Sequence, residues 1–394
     1  MEYLKEVASY VDEKSTVELA QELIRIPSPT GEERAIAEFL AEKLRGLSFD
    51  EVIVDRDWNV LATVQGSGEG PTLLTLTHTD SGVAGSMQNP YAGDIRDGEP
   101  YGKRGKVIYG RGAAAPKCAL SCYIHSAEAL ANWGRERLNG KLQVACVTKD
   151  LNANHDGIRS LHQNVGISPD FVIAGEPSNN KVVMGARGIS HVQISLQGKP
   201  SHWGKPHEGV NALYGLAEIL LAVEKLDLPS HPVLGRATVS PIEIGSEMEP
   251  PHTPHDVRAV IDRRVLPEES VRDVLADFEN ILAQVIAARP GLSGSAEQIR
   301  GMFSFAADPD SLLKHALQKG GEAVTRGEIA TTFIPFASNA GYVIQELGIP
   351  GVAFAPGNIT DVGPQEHVEV DRLLEGTRIL AAGCAVLLGK NGEG

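Results

Sequence analysis

The sequence predicts an α/β protein in which a mainly parallel sheet flanked by helices is interrupted by an inserted α+β domain. Two observations carry this expectation. Apolar runs at 72–77, 142–148, 171–174 and 352–355 each stop at polar, proline or glycine residues, with helical patterns between them. Between 186 and 297 the order changes to strand 190–196, helix 210–226, strands 237–244 and 257–264, and helix 268–288, a block near the commonest domain size. Alternation of helix and strand resumes near Gln298. One discontinuous domain is therefore expected over 1–185 and 298–394, and a second over 186–297.

Taken in order, the apolar residues from Leu4 to Ile26 recur at helical spacing, and Pro27 and Pro29 end the pattern. Thr30 and Glu33 have the spacing of a capping box ahead of a helix over 35–44. Short strands follow at 51–54 and 59–64, and the strand over 72–77 ends in His78-Thr79-Asp80. Gly110 and Gly112 flank Arg111, Pro116 suits a helix start, and 119–133 continues as an apolar helix. This junction has the form of a ligand-bearing loop, yet its tip is Ala113-Ala114-Ala115. Ligands of parallel sheets bind beyond the carboxyl ends of the strands, so His78, Asp80 and Glu176 are expected to meet in one crevice.

The 394 residues are 42% apolar and 22% charged, enough for a large core and two domains. A formal charge of -15 excludes non-specific binding to a phosphate backbone, so no nucleic-acid partner is expected. No apolar run reaches the length of a membrane span and the first residues lack the layout of a signal peptide, so a cytoplasmic protein without a membrane partner is expected. Cys118, Cys122, Cys146 and Cys384 match neither a zinc knuckle nor a disulfide framework.

Several stretches together resemble one family. They are Thr77-His78-Thr79-Asp80, Tyr109-Gly110-Arg111-Gly112 with Lys117, Gly175-Glu176-Pro177, Ser201-His202 with Gly209-Val210-Asn211-Ala212, and Asp262-Arg263-Arg264 with Pro267. In this order they resemble the zinc amidohydrolases and exopeptidases that include succinyl-diaminopimelate desuccinylase, acetylornithine deacetylase and carboxypeptidase G. The resemblance implies a homodimer whose inserted domain is a lid and dimerisation domain, acting on a small-molecule substrate. It implies His78 and Glu176 as ligands of one zinc, and Asp80 as the carboxylate orienting His78. It also implies His202 as a lid histidine that polarises the scissile carbonyl across a dimer interface, and Arg264 as the holder of a substrate carboxylate, with Asn211 beside them in the substrate-binding motif.

The remaining family positions are changed. The bridging aspartate falls on Ala115, the run carrying the base and a ligand of the other zinc falls on Asp150-Leu151-Asn152, and the late ligand histidine falls on Val362. Tight zinc sites use three or four protein ligands, so no cofactor is expected, or zinc if the site has been rebuilt from Asp150, His155, Asp156 or Asp361. Cys118, beside Lys117 at a helix start, is a candidate nucleophile because both neighbours favour a thiolate. The sequence thus predicts a divergent amidohydrolase-type enzyme acting on a carboxylate-bearing substrate, by amide or ring C–N hydrolysis or a non-hydrolytic proton transfer, without the usual dinuclear zinc centre. A conventional metal-dependent amidohydrolase with relocated ligands and a non-catalytic binding protein are the alternatives.

Overall fold

Apolar residues three and four apart give the first helices one buried face each: Leu4 and Val7 in Glu2–Ser9, Leu19 and Leu23 in Glu13–Arg25, Ile36 and Leu40 in Arg34–Arg45. The single helix expected over 4–26 is two, because the Asp12 carboxylate accepts the Ser15 N–H at 3.0 Å and starts the second. No capping box forms at Thr30 and Glu33. The Thr30 hydroxyl donates to Asp80 at 2.8 Å and Glu33 accepts the Lys149 N–H at 2.9 Å, so both side chains are committed elsewhere.

The computed structural model describes residues 1–247 and 249–390. It divides into two units, one formed by Met1–Gly185, Ala306–Ile334 and the chain from Ser338 onward, the other by Ala186–Phe305 and Pro335–Ala337. The main sheet of the first unit corrects the expectation of a mainly parallel sheet. Its middle is parallel, with Gly68–His78 between Asn139–Val147 and Phe171–Ala174, and Gly351–Ala353 beside the last. Around that middle the pairings are antiparallel: Glu51–Val54 with Val60–Gln65, Val60–Gln65 with Asn139–Val147, and Gly351–Ala353 with Val182–Ala186. For the first of these pairs the physical reason is connection length. Asp55 accepts the N–H groups of Asp57 and Asn59 and closes a tight turn, which joins antiparallel strands, whereas parallel neighbours need a long crossover.

Helices Lys117–Gly134 and Val370–Leu388 are apolar on nearly all sides and are correspondingly buried, with Leu120, Ile124 and Leu130 on one and Ile379 and Leu380 on the other inside the core. At the carboxyl ends of the parallel strands lie His78, closing Gly68–His78, Asp150, just beyond Asn139–Val147, and Glu176, just beyond Phe171–Ala174.

In the second unit an antiparallel sheet runs in the order Thr238–Ser246, Asp256–Val265, Gly188–Gln197, Ser293–Met302. Val192, Ile194 and Leu196 pack with Leu216 and Ile219 of Ala212–Val223 and with Phe278 and Leu282 of Val271–Ala288. The strand Ser293–Met302 crosses the junction expected at 297 and 298. It is a largely exposed edge strand of polar residues, so it carried no apolar signal. Among the described residues no helix is long and apolar enough to cross a membrane, and all four cysteines are free and buried.

Candidate active site

Asp80 organises the site of the first unit. It is fully buried, and both carboxylate oxygens are occupied: Oδ1 faces His78 Nδ1 at 3.1 Å and accepts the Asp150 N–H at 3.1 Å, while Oδ2 accepts the Thr30 hydroxyl at 2.8 Å and the Leu151 N–H at 3.0 Å. Two consecutive amides can reach one carboxylate only because the loop around them is sharply bent. Lys149, Ala153 and His155 all take left-handed backbone angles, with φ of 58, 56 and 55°, around the single turn Asp150–Asn152. Such conformations cost energy in non-glycine residues and persist where surroundings impose them. Here the Asp80 and Glu33 carboxylates impose them, by holding the amides of 149, 150 and 151.

The bent loop sets the Asp150 carboxylate against His78, with Oδ2 3.8 Å from Nε2. Burial pulls His78 toward the neutral form, but Asp150, Asp80 and Glu176 outweigh it and push its pKa up to about 10. Asp80 is held below the usual carboxylate range: burial opposes this, and the hydrogen bond and charge of His78 prevail. Burial and the neighbouring Asp80 charge, against the pull of His78, raise Asp150 to about 6. Burial and Asp150 raise Glu176 to about 8. One imidazolium therefore stands among three carboxyl groups whose affinities for a proton have been driven apart.

Sequence reasoning missed two residues of this network. Ser338 hydrogen-bonds the Glu176 carboxyl group, and Asn339 holds Asp150 on one side and pairs its Oδ1 with His155 Nδ1 at 3.1 Å on the other. Both are buried, and Ser338 also accepts the Ala340 N–H at 3.1 Å. They lie in a loop with no periodic pattern, so nothing in the sequence drew attention to them. Burial lowers the His155 pKa to about 4, leaving a neutral imidazole behind Asn339.

The junction at Ala115 is satisfied from within the chain. The backbone N–H groups of Ala114 and Ala115 donate to Glu366 Oε1 at 3.1 and 3.3 Å, and Arg111 pairs with Glu366 Oε2 at 3.0 Å. Lys117 is fully buried, donates to the Ile26 carbonyl at 2.6 Å, and is pulled down to about 7 by burial. Gly112, at φ +88°, leaves room for that side chain, since a Cβ there would lie 2.9 Å from the Lys117 Cδ. Cys118 requires a correction: helix Lys117–Gly134 begins beside it, but its thiol is buried at 0% exposure and bonds to the Ala114 carbonyl at 3.3 Å. Burial raises its pKa, which opposes the thiolate that the nucleophile expectation needs.

The residues present do not fit two zinc ions. Ala115 and Val362 offer no donor atom, Leu151 is apolar and half exposed, and the Asn152 amide turns to Asp156 at 3.4 Å. Of the substitutes, Asp150 and His155 join the network, while Asp156 is held by Asn152 and Asn154, and Asp361 pairs with Lys103 at 2.7 Å. Among the described residues no group of three or more His, Cys, Asp or Glu side chains is arranged to hold a metal ion.

The other candidates belong to the second unit. His202 is exposed, and its Nδ1 accepts the Gly204 N–H at 3.0 Å, which leaves Nε2 to carry the ring proton. Asn211 caps helix Ala212–Val223 by accepting the Leu213 N–H at 2.9 Å. Arg264 pairs with Asp262 at 2.8 Å, and Asp262 also bonds His191 at 3.0 Å.

The family model of a peptidase dimerisation domain matches residues 184–289. A candidate LysW-lysine/LysW-ornithine hydrolase of Pyrobaculum aerophilum is 30% identical over 264 residues, covering 65% of this chain and 68% of that protein. Carboxypeptidase G2 of a Pseudomonas strain is 28% identical over 229 residues, covering 55% and 52% of the two chains. A tripeptidase of Staphylococcus aureus superposes with a TM-score of 0.75 at 18% identity, covering 94% of this chain and 98% of that one, a likeness of fold.

Proposed function

We infer the function from one premise: the chain belongs to the M20 superfamily of peptidases and amidohydrolases. The activity proposed is hydrolysis of an amide or ring C–N bond in a small carboxylate-bearing molecule, without the superfamily's dinuclear zinc centre. The single observation that carries this reading is the donor set, in which Ala115, Leu151 and Val362 replace metal-binding and basic positions while His78 is clamped between Asp80 and Asp150.

The roles follow from the separation of the carboxyl groups. Asp150, ionised near neutral pH, is suited to take a proton from water, and Glu176, which keeps its proton to about pH 8, is suited to give one to the leaving nitrogen. His78 supplies a fixed positive charge between them. His202 is assigned the oxyanion contact from a dimer partner, supported by its exposed Nε2 and by the dimerisation-domain match. Arg264 is assigned the substrate carboxylate, in competition with Asp262. A cytoplasmic setting is supported by four free cysteines.

The test combines metal analysis of protein purified without chelators with turnover of an N-acyl amino acid panel before and after chelation. Less than one zinc per chain and unchanged turnover are expected. Two zinc ions per chain, with activity lost on chelation and restored by zinc, would sink the reading.

A further inference from the structure

In the second unit the segments 201–203 and 251–253 run antiparallel and meet at an isolated bridge between His202 and His252. The Trp203 N–H donates to the Pro251 carbonyl at 3.0 Å, and the Thr253 N–H to the Ser201 carbonyl at 2.8 Å. Hydrogen bonds on the residues flanking both histidines make them a non-hydrogen-bonded pair, the closer of the two antiparallel pairings, with Cα atoms about 4.5 Å apart and side chains on one face. On the other face the buried Ser201 and Thr253 hydroxyls bond each other at 3.1 Å. The Trp203 indole N–H donates to the His252 carbonyl at 2.6 Å and ties the segments a third time. Two imidazoles are thus held side by side on braced backbone. His202 spends Nδ1 on the Gly204 N–H and keeps its exposed Nε2–H free. His252 is half-buried, its Nδ1 is shut off from solvent without a partner, and among the described residues neither of its ring nitrogens makes a hydrogen bond. A partly desolvated ring that its own chain leaves unsatisfied is costly, and Nε2 is the nitrogen left to meet a ligand.

We propose that His252 is a second catalytic donor to the oxyanion, its Nε2–H acting beside that of His202. This rests on the hydrolytic reading above, which gives His202 the oxyanion contact, and adds a residue to it. An oxyanion formed without a metal is held by hydrogen-bond donors alone, and such sites gain from having more than one. As water adds to the scissile carbon, the carbonyl oxygen takes up negative charge and accepts both N–H bonds. When the C–N bond breaks, that charge returns to a carbonyl, and both imidazoles are left as they began. The contact strengthens only as charge develops, so its loss falls on kcat and leaves KM nearly unchanged.

The test is steady-state kinetics of His252→Phe, which keeps a flat ring without a donor, on the N-acyl amino acid that the unaltered protein turns over best. Chelator is present throughout, and thermal midpoints serve as the folding control. A fall of at least tenfold in kcat is expected, with KM within about twofold of the unaltered value. A phosphinate analogue of the same substrate, tetrahedral and anionic where the carbonyl was, is expected to bind His252→Phe at least tenfold more weakly by calorimetry. An unchanged kcat, or a loss carried wholly by KM, overturns the proposal, and metal-free turnover then leaves the hydrolytic reading standing alone. If His252→Phe does not fold, His252→Ala decides the matter: kcat lowered at constant KM supports the role, and unaltered kcat overturns it. Turnover that chelation abolishes and zinc restores sinks the hydrolytic reading and this role with it, as does an absence of turnover across the whole panel.

Discussion

His78 is the residue on which the site's chemistry turns. A histidine with a carboxylate at each ring nitrogen is stabilised as a cation, and that cation in turn keeps Asp80 ionised in the interior. In the proposed mechanism Asp150→Asn and Glu176→Gln each remove one proton-transfer group, and Asp150→Asn also removes the largest of the charges that hold His78 as a cation. Each is expected to lower kcat by about a hundredfold or more while leaving the fold intact, as read by steady-state turnover beside circular dichroism. Cys118 belongs to the opposite class. Together with Cys122, Cys146 and Cys384 it is shut away from solvent, so a thiol reagent should label none of the four in the native protein and all of them after denaturation.

At the scale of elements, the site depends on loops pressed together by backbone contact. A Cβ at Gly357 would lie 1.7 Å from the Ala114 carbonyl oxygen, so the loop after Gly351–Ala353 and the turn carrying Ala115 approach as closely as glycine permits. Gly357→Ala should destabilise the first unit by about 1–3 kcal/mol or more and depress turnover, a combination checked by thermal unfolding and kinetics on the same sample. The second unit offers a control. Ser270 and Asp273 form a reciprocal capping box at the start of Val271–Ala288, and Ser270→Ala should cost about 1 kcal/mol of stability with no change in turnover. Some elements were legible in the sequence because they obey one period. The strand ending at His78 and the helix after Lys117 are examples. The strand Ser293–Met302 was not, because an exposed edge strand needs no apolar face. Nor was strand direction, since an apolar run looks the same whichever way its neighbour points.

For the molecule as a whole, acid stability follows from carboxylates that are better satisfied folded than unfolded. Asp262 is one: burial raises its pKa, but the His191 hydrogen bond and the Arg264 charge outweigh that and hold it below the ordinary carboxylate range. Its folded pKa lies under the unfolded value of about 3.9, so its contribution is complete above that pH and is lost as the pH falls through the folded value. Asp262→Asn should therefore lower the thermal midpoint at neutral pH and narrow its gap from the unaltered protein as the solution is acidified below about pH 4.

The sequence by itself pointed to His78, Asp80 and Glu176 as one crevice, because each lies at the end of an apolar strand-like run, and offered Asp150 only as a replacement ligand; it also showed that Ala115 and Val362 bring no side-chain donor, because composition alone denies them one. Only the tertiary structure decided what those residues became. That Asp150 faces His78, that Ser338 and Asn339 hold the carboxyl groups, and that Glu366 fills the amides beside Ala115 depend on backbone angles and burial that no local pattern encodes. Charge in a protein interior is governed by neighbours distant in sequence, and the fold brings those neighbours together.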